Sequence, residues 1–495
     1  MENINIDNKP INNEEQEIIK ENTKFDEKDT EEQEIKKKLN DLLSKIECFD
    51  PSNWAKIHDK LNEGMIGTCL TSKDCYRIGF IKFLIDQAKE GNIHFAKDGN
   101  HFYVYNNQYW IKISEDLLKS FLHMAAQKMG IPIGLSICVK FIKSTYEQLI
   151  ESGFFEKMVQ SNVTHLNVLN GTINIDLDGV KLVNFDSKHF LTHQLDFVYD
   201  KNRVNQVWLD FLNKVLPDKD TQKTLQQAIA YLFIKDLKLE KVIFLYGIGS
   251  NGKSVIFEII KGILSVDMMT NYSLASLTNH LGYQLADLNN KLINYGTDIS
   301  MKNVDLAIFK QIASGEPIGT RQIREKSFTM KNYAKLIFNV NKLDDADVEN
   351  THGFGRRLLF IPFEQVIEKK DQDKNLHKKI LENKTGVMNW IIEGIEEVLI
   401  NEEIFVSEKC ENFLDNFKRE SSPIQLFLED SHLIPTNQDT NETIDFQQMY
   451  EMYREFCKKQ GEKAVAQRNL NADLKRLGFE FKRKKQGNVW FSRVN

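Results

Sequence analysis

The hydrophobic pattern is clearest after residue 241, where an apolar run over residues 242–246 gives way to a glycine-rich loop. Residues 242–246 (VIFLY) have the length and the β-branched and aromatic content expected of a buried parallel strand. After the loop, isoleucines recur at helical spacing, at Ile256, Ile259, Ile260 and Ile263. The pattern therefore predicts a strand, a loop and an amphipathic helix over residues 241–264.

The chain before this stretch divides into two segments of different composition. Residues 1–40 hold 12 acidic and 7 basic side chains, and we expect an acidic disordered tail or at most a frayed helix there. Residues 41–205 mix helical spacing with short β-rich runs, including a predicted hairpin at 102–110, and predict an α+β domain. Asp176 and Asp178 could serve a metal site, but the glycine after Asp178 favours a hairpin turn.

The end of the chain is strongly basic. The net charge is −6, yet residues 451–495 hold 12 basic and 5 acidic side chains, which favours an anionic partner. Helical spacing over 446–459 and 467–477 precedes a strand pair over 479–491, which predicts a winged-helix domain, a helix-turn-helix variant, within residues 421–495. A merely solvated basic surface is the alternative. We expect this domain to bind DNA, with recognition of the replication origin left open. The candidate DNA-binding residues are Arg468, Lys475, Arg476, Lys482, Arg483, Lys484 and Lys485.

The glycine-rich loop has the chemistry of a phosphate-binding site. It fits GxxxxGK[ST], in which glycines let backbone N–H groups surround a phosphate at the positive end of the helix dipole. Lys253 would reach the β- and γ-phosphates, and the Ser254 hydroxyl would bind Mg²⁺. A glycine-rich turn with an incidental lysine is the alternative. The predicted ATP and Mg²⁺ site comprises Gly247, Ile248, Gly249, Ser250, Asn251, Gly252, Lys253 and Ser254.

Three later apolar runs adjoin side chains that could complete such a site. One ends in Asp298, whose carboxylate could orient Mg²⁺ and the attacking water. Another ends in Asn341, whose amide could hold the γ-phosphate or that water. A third follows Arg356 and Arg357, and in a ring NTPase such a position supplies an arginine finger to the neighbouring site. Ordinary strand-end turns and a surface arginine pair are the alternatives.

These segments together resemble the superfamily 3 helicases, and within them the primase-helicase proteins of phages, plasmids and mobile genetic islands. The resemblance begins near residue 95 and includes YNNQYW, the helicase junction LQQAIAYLFIKDLKLEKVIFLYGIGSNGKS, and the Walker B-like KLINYGTDIS. FKQIASGEPIGTRQIREKSF resembles the family's DNA-contacting hairpin, KLIFNVN its sensor strand and GFGRRLLFIPF its arginine-finger strand. The resemblance implies an AAA+-like hexameric ring that hydrolyses ATP and separates duplex DNA with 3′ to 5′ polarity.

The resemblance also implies roles for single residues. Lys253 and Ser254 would bind phosphate and Mg²⁺, Asp298 would be the Walker B carboxylate and Asn341 the sensor. Arg356 or Arg357 would be the finger acting in trans, with Arg357 slightly favoured. Thr297 precedes Asp298 where relatives often have a second carboxylate, so Asp298 acts alone or with another acid, for which Glu316 is a weak candidate. The hairpin residue that contacts DNA is left open among Arg321, Arg324 and Lys326.

We therefore expect an α/β protein with a P-loop ATPase core over residues 206–400, the α+β domain at 41–205 and the winged helix. Its predicted function is ATP-dependent unwinding of DNA for replication of a phage, plasmid or mobile genetic island. Predicted partners are single- and double-stranded DNA, further copies in a homo-hexamer, other replication proteins and a separate primase, since too few residues precede the family-like segments for a primase domain.

Two alternatives and the expected location complete the prediction. A replication initiator that melts origin DNA, with ATP as an assembly switch, is the main alternative, and a packaging or other P-loop motor is a weaker one. No apolar run approaches the roughly 20 residues of a membrane span, and the acidic N-terminus lacks the features of a signal peptide. We expect a cytoplasmic protein without membrane partners.

Overall fold

The chain is a mixed α/β protein whose internal contacts divide it into two units. The N-terminal unit holds Met1–Asn174 and Lys181–Tyr199, and the C-terminal unit holds Ile175–Val180 and Asp200–Asn495. The computed structural model describes residues 32–46, 72–99, 101–151, 155–157, 161–297, 304–324, 326–331, 333–341, 352–420, 422–436, 443–461, 464–484 and 487–494.

The N-terminal unit combines helices with a four-stranded sheet of order β3-β2-β1-β4. Tyr105 of β2 lies opposite Trp110 of β3, so the predicted hairpin at 102–110 is confirmed. Its strands are β1 (Phe95–Asp98), β2 (His101–Tyr105), β3 (Trp110–Ile113) and β4 (Glu156–Lys157). Its helices are α1 (32–45), α2 (Ser72–Glu90), α3 (Glu115–Lys128), α4 (Ile133–Ser136) and α5 (Val139–Glu151).

Part of the predicted disordered tail belongs to this fold. Residues 32–40 lie in α1, where the composition of residues 1–40 predicted disorder or at most a frayed helix. Ile35, Leu39 and Leu42 are buried in the core of the N-terminal unit at helical spacing, and this apolar stripe outweighs the acidic composition around it. The ordered domain therefore begins at or before residue 32, and the rest of the predicted tail lies outside the described residues.

A three-stranded sheet follows, in the order β5-β6-β7. Asp176 ends its second strand and Asp178 lies in the turn to the third, and the Asp178 N–H donates to Asp176 Oδ1 at 2.9 Å. The hairpin-turn interpretation of these two carboxylates is therefore confirmed. The strands are β5 (Thr164–Val168), β6 (Gly171–Asp176) and β7 (Gly179–Val183).

A five-stranded sheet, parallel throughout, forms the centre of the C-terminal unit, in the order β14-β8-β13-β10-β9. The predicted strands after the loop are all present in it. β8 lies between β14 and β13, whereas β9, the next strand in sequence, lies at the far edge of the sheet. The order in which the strands are added therefore reverses beside β8. The strands are β8 (Val242–Tyr246), β9 (Met269–Thr270), β10 (Ile293–Gly296), β13 (Lys335–Val340) and β14 (Leu358–Pro362).

Helices pack against this sheet, and a partly buried lysine fixes one of them to it. Lys335, at the start of β13, donates to the carbonyls of Tyr231 and Leu237 at 2.9 Å and to that of Ile234. It thereby supplies a hydrogen-bond donor to carbonyls at the C-terminal end of α7 and in the segment that follows. The helices are α6 (Gln206–Val215), α7 (Lys219–Phe233), α8 (Lys253–Ile263), α9 (Leu274–Leu277), α10 (Tyr283–Ala286), α11 (Leu306–Ala313), α12 (His352–Gly355), α13 (Leu376–Leu381), α14 (Lys384–Asn401) and α15 (Glu408–Glu420).

The C-terminal unit also carries an antiparallel hairpin and a small α/β module. The hairpin joins β11 (Ile318–Thr320) to β12 (Phe328–Met330). In the module, β18 pairs with three strands, and Tyr453 and Trp490 are completely buried in its core. The module holds α16 (Pro423–Asp430), β15 (Leu433–Pro435), β16 (Thr443–Asp445), α17 (Phe446–Gln460), α18 (Gln467–Arg476), β17 (Phe481–Lys484) and β18 (Gly487–Val494).

The helices and the strand pair predicted near the C-terminus are therefore present, with bounds within about three residues of the prediction. In the described ranges, no helix is both long and apolar enough to cross a lipid bilayer.

Candidate active site

The glycine-rich loop lies at the carboxyl ends of the parallel strands. It leaves β8 between two neighbours, because the Gly247 N–H donates to Val340 O of β13 at 3.0 Å and the Phe363 N–H, just after β14, donates to Tyr246 O at 2.7 Å. The loop then ends directly in the first turn of α8. In open α/β sheets, ligands bind outside the carboxyl ends of the strands where the strand order reverses, and this loop occupies that position.

Two glycines are required for the loop to close in this form. A Cβ atom at Gly247 would come 1.9 Å from Asn251 Nδ2 and 2.6 Å from Phe363 O. Gly252 has φ 90°, and a Cβ there would come within 2.9 Å of Val215 and Phe211 on α6. The first position therefore excludes a side chain by close approach, and the second excludes one by both backbone conformation and packing.

Lys253 and Asn251 are buried in the loop and contact each other. The Lys253 ammonium donates to Asn251 Oδ1 at 3.0 Å and to the Gly247 carbonyl. Asn251 Nδ2 in turn donates to Phe363 O at 3.1 Å. Asn251 therefore fixes the loop to the end of β14 and holds the ammonium group inside the loop.

The loop also contains backbone N–H groups that form no hydrogen bond within the described part of the chain. Among the described residues, the backbone N–H groups of Gly249, Ser250, Asn251 and Gly252 have no hydrogen-bond acceptor. Ser254 is exposed in the first turn of α8, where N–H groups lack intrahelical partners. A cradle of N–H groups, an ammonium group and an exposed hydroxyl fits the phosphates of an NTP and an oxygen-liganded Mg²⁺.

Of the two predicted partners of the loop, the structure describes one. Asn341 directly follows β13 and is exposed at the same edge as the loop. Asp298 lies outside the described residues, two positions after β10 ends at Gly296. Below this edge, the Tyr295 hydroxyl of β10 donates to Asn339 Oδ1 of β13 at 3.1 Å, and burial raises the pKa of Tyr295.

The arginine pair lies at the opposite edge of the sheet. Arg356 and Arg357 precede β14 and are therefore at the amino ends of the strands, where Val242 N–H donates to Arg357 O at 2.8 Å. Arg356 Nη2 lies 2.7 Å from Glu240 Oε2, and Arg357 Nη2 lies 3.0 Å from the same oxygen. Arg357 Nη2 also donates to Ser314 Oγ at 2.7 Å.

Sequence reasoning assigned no role to Glu240 or Ser314, although both lie in segments that carry the family resemblance. They join the pair only through the tertiary fold. Next to Glu240, Lys241 Nζ donates to the Arg356 carbonyl at 2.8 Å. Burial, and then the charges of Arg356 and Lys418, lower the pKa of Lys241.

The predicted DNA-contacting hairpin is present and has a basic, exposed tip. Arg321, Arg324 and Lys326 are all exposed in the segment between β11 and β12. The guanidinium carbon of Arg321 lies 5.3 Å from the centre of the Tyr283 ring, whereas Ile323 at the tip is 69% exposed. The three basic residues left open by the sequence therefore share one surface.

The basic residues predicted near the C-terminus divide between α18 and the β17–β18 strand pair. Arg468, Lys475 and Arg476 are exposed on α18, and Lys482 is exposed on β17. Lys475 Nζ lies 4.3 Å from the centre of the Phe481 ring, which connects the helix with the strand pair. Of the remaining predicted residues, Arg483 and Lys484 belong to β17, their side chains lie outside the description, and Lys485 lies outside the described residues.

A comparison with family models matches the part of the chain that carries these features. Residues 245–357 match the family of unknown function DUF5906. The match covers less than half of the chain, and it extends from the end of β8 through the glycine-rich loop to the arginine pair. No curated protein matches the chain.

Solved structures of the C-terminal region of NrS-1 also match. The A form apo structure matches with 14% sequence identity and a TM-score of 0.48, and it covers 84% of this chain and 98% of that chain. A second apo structure of that region matches with 13% identity and a TM-score of 0.46, and it covers 84% of this chain and 99% of that chain.

Proposed function

We propose that this chain is an ATP-hydrolysing DNA helicase that acts in replication as a ring of identical subunits. The observation that carries the proposal is the loop Gly247–Ser254 at the carboxyl ends of the parallel strands, with four backbone N–H groups that the described chain leaves unused. An anion is the ligand that such a cradle stabilises, and the helix dipole of α8 acts in the same direction.

The side chains around the loop support a triphosphate with Mg²⁺. Lys253 is held at the loop by Asn251 and would neutralise phosphate charge, and the exposed Ser254 hydroxyl would bind the metal. Mg²⁺ with ATP would supply the phosphoryl group and neutralise charge that develops during its transfer. Asn341 would orient the attacking water at the same edge, and Asp298 keeps its predicted role as the carboxylate near the metal.

The separation of the arginine pair from the loop supports a ring. Five residues of β14 separate Arg357 from the carboxyl edge, about 16 Å at roughly 3.3 Å per residue. This length exceeds the reach of an arginine side chain, so either arginine would act on nucleotide bound to a neighbouring copy. Because Arg357 is nearly buried and Arg356 is 56% exposed, Arg356 is the better candidate for the finger.

Two basic surfaces support DNA as the substrate. The exposed hairpin tip with Arg321, Arg324 and Lys326 would contact the DNA backbone in the ring. The C-terminal module has the order helix, helix and hairpin that winged-helix domains use, with Arg468 and Lys475 exposed on its second helix. This module would bind duplex DNA.

The test is ATP hydrolysis and strand separation on forks with a 3′ or a 5′ tail. Lys253→Ala should abolish both activities while duplex binding persists, whereas Lys261→Ala, an exposed lysine on the same helix, should keep both. Near wild-type hydrolysis by Lys253→Ala would refute the nucleotide site. Hydrolysis with strand separation confined to origin duplex would favour the replication initiator over the helicase.

A further inference from the structure

Both arginines of the pair bind a single carboxylate oxygen. Glu240 Oε2 lies 2.7 Å from Arg356 Nη2 and 3.0 Å from Arg357 Nη2. A shared acceptor fixes the position of one guanidinium group relative to the other. Glu240 therefore connects two side chains that sequence reasoning treated as alternatives for one role.

The two arginines differ in how firmly they are held. The Arg357 side chain is 10% exposed, and besides Glu240 it donates to Ser314 Oγ from Nη2 at 2.7 Å and from Nε at 3.3 Å. The Arg356 side chain is 56% exposed and contacts Glu240 through Nη2. Exposed ion pairs are weak because solvent screens them, whereas a nearly buried charge that loses its partner is costly. Arg357 therefore holds Glu240 in place, and Arg356 can exchange partners.

The backbone around Glu240 supports the same arrangement. Glu240 has φ 55°, a left-handed conformation that persists in a residue with a side chain only where the surroundings enforce it. The next residue, Lys241, donates from Nζ to the Arg356 carbonyl at 2.8 Å. Arg356 is thus held at its side chain by Glu240 and at its backbone by Lys241.

We propose that Arg356 is the finger and that Glu240 and Arg357 are its positioning residues, an inference that rests on the proposed function. Its ligand is the γ-phosphate of a nucleoside triphosphate bound to a neighbouring copy. Glu240 binds Nη2 of Arg356, so the other N–H groups of this guanidinium group can donate to phosphate oxygens. A long, half-exposed side chain would otherwise have to be ordered at each turnover, so the carboxylate raises the turnover rate without contacting nucleotide.

The experiment uses mixed rings in which only one kind of interface can react. Lys253→Ala subunits donate a finger but have no working nucleotide site, and Arg356→Ala subunits donate a site but no finger. Glu240→Gln, which removes the charge and keeps the shape, is placed in either kind of subunit. Glu429→Gln is the matched control, because Glu429 forms an exposed pair with Arg419 at 3.4 Å.

Glu240→Gln in the finger donor should lower the turnover rate of the mixture about 10- to 100-fold, with the KM for ATP unchanged, because a misplaced reacting group costs up to about 10² in rate. In the Arg356→Ala subunits, which supply the nucleotide site but have no finger to position, Glu240→Gln should cause no such loss. Glu429→Gln should have no effect in either subunit.

Four outcomes would contradict the inference or its basis. Equal loss from both placements would show that Glu240 has a general structural role, and no loss from either would show that it does not position the finger. If assembled mixtures are inactive without Glu240→Gln while the unsubstituted protein hydrolyses ATP, Arg356 is not a finger acting in trans. Absence of hydrolysis by the unsubstituted protein would instead overturn the proposed function.

Discussion

Gly252→Ala tests whether the loop must close against α6. The methyl group would lie 2.8 Å from Val215 Cγ1 and 2.9 Å from two ring carbons of Phe211, in a backbone conformation with φ 90°. The left-handed conformation costs alanine about 1–2 kcal/mol, and overpacking of this kind costs about 1–3 kcal/mol. If the loop stays closed, the expected loss of folding free energy is therefore about 2–5 kcal/mol.

The loop can also relieve this strain by moving away from α6, and then the cost appears in nucleotide binding. Each 1.4 kcal/mol needed to restore the closed loop weakens binding about tenfold. We therefore expect a lower denaturation midpoint, weaker ATP binding, or both. Unfolding in guanidinium chloride, followed by tryptophan fluorescence, measures the denaturation midpoint. Trp208 on α6 lies beside the contact, because its ring centre is 5.6 Å from that of Phe211. Titration with a fluorescent ATP analogue measures ATP binding.

Gly319→Ala is the matched control for this experiment. A Cβ at Gly319 would meet no atom within 4 Å, and Gly319 does not have a positive φ. Its stability should change by no more than about 0.5 kcal/mol, with ATP binding unchanged. If Gly252→Ala behaved like Gly319→Ala in both measurements, the closed loop against α6 would be refuted.

Two further predictions concern the fold and the DNA contacts. Lys335→Met should destabilise the protein by at least about 2 kcal/mol in denaturant unfolding, because the carbonyls of Ile234 and Leu237, at and after the end of α7, lose their donor at about 1–3 kcal/mol each, and Lys261→Met should not. A loss equal to that of Lys261→Met would contradict this account. Deletion from residue 421 onward should preserve ATP hydrolysis and weaken duplex binding. The slope of the logarithm of the binding constant against the logarithm of the salt concentration should become shallower by about 0.9 for each phosphate contact that is lost. Equal affinities and salt slopes in titrations at two salt concentrations would show that the basic residues of the module only contact solvent.

Short-range patterns predicted the elements that carry the candidate site. The run at 242–246 has the bounds of β8, and the helical spacing after the loop corresponds to α8. The hairpins and the helices of the C-terminal module could be predicted in the same way, because each depends on residue spacing within about 15 residues. Where composition was averaged instead, the prediction was wrong for residues 32–40, because the acidic composition of residues 1–40 outweighed the apolar stripe of Ile35 and Leu39 in the averaging.

The contacts that hold the site join distant parts of the chain, and no local pattern contains them. Asn251 reaches Phe363, 112 residues away, and Arg356 reaches Glu240, 116 residues away. Glu240 lies in a connecting segment whose sequence gives no signal for a functional carboxylate. The difference between a nearly buried Arg357 and an exposed Arg356 likewise depends on Ser314, a residue that ends α11 in another part of the sequence.

The direction of the parallel strands decides which chemistry is available at each edge of the sheet. At the carboxyl edge, β8 leads into the N-terminus of α8, so backbone N–H groups and a helix dipole accumulate there and favour an anion. At the amino edge, Arg356 and Arg357 bring positive charge, and Glu240 supplies the carboxylate that holds it. For the phosphoryl transfer that we propose, either edge by itself is incomplete, since one has the cradle of N–H groups and the other has the arginines. Because both edges belong to the same rigid strands, no side-chain rotation within one chain can join them, and a second copy facing the first can. The proposal of a ring therefore rests on the direction of the sheet, and it would hold whichever of the two arginines reached the phosphate.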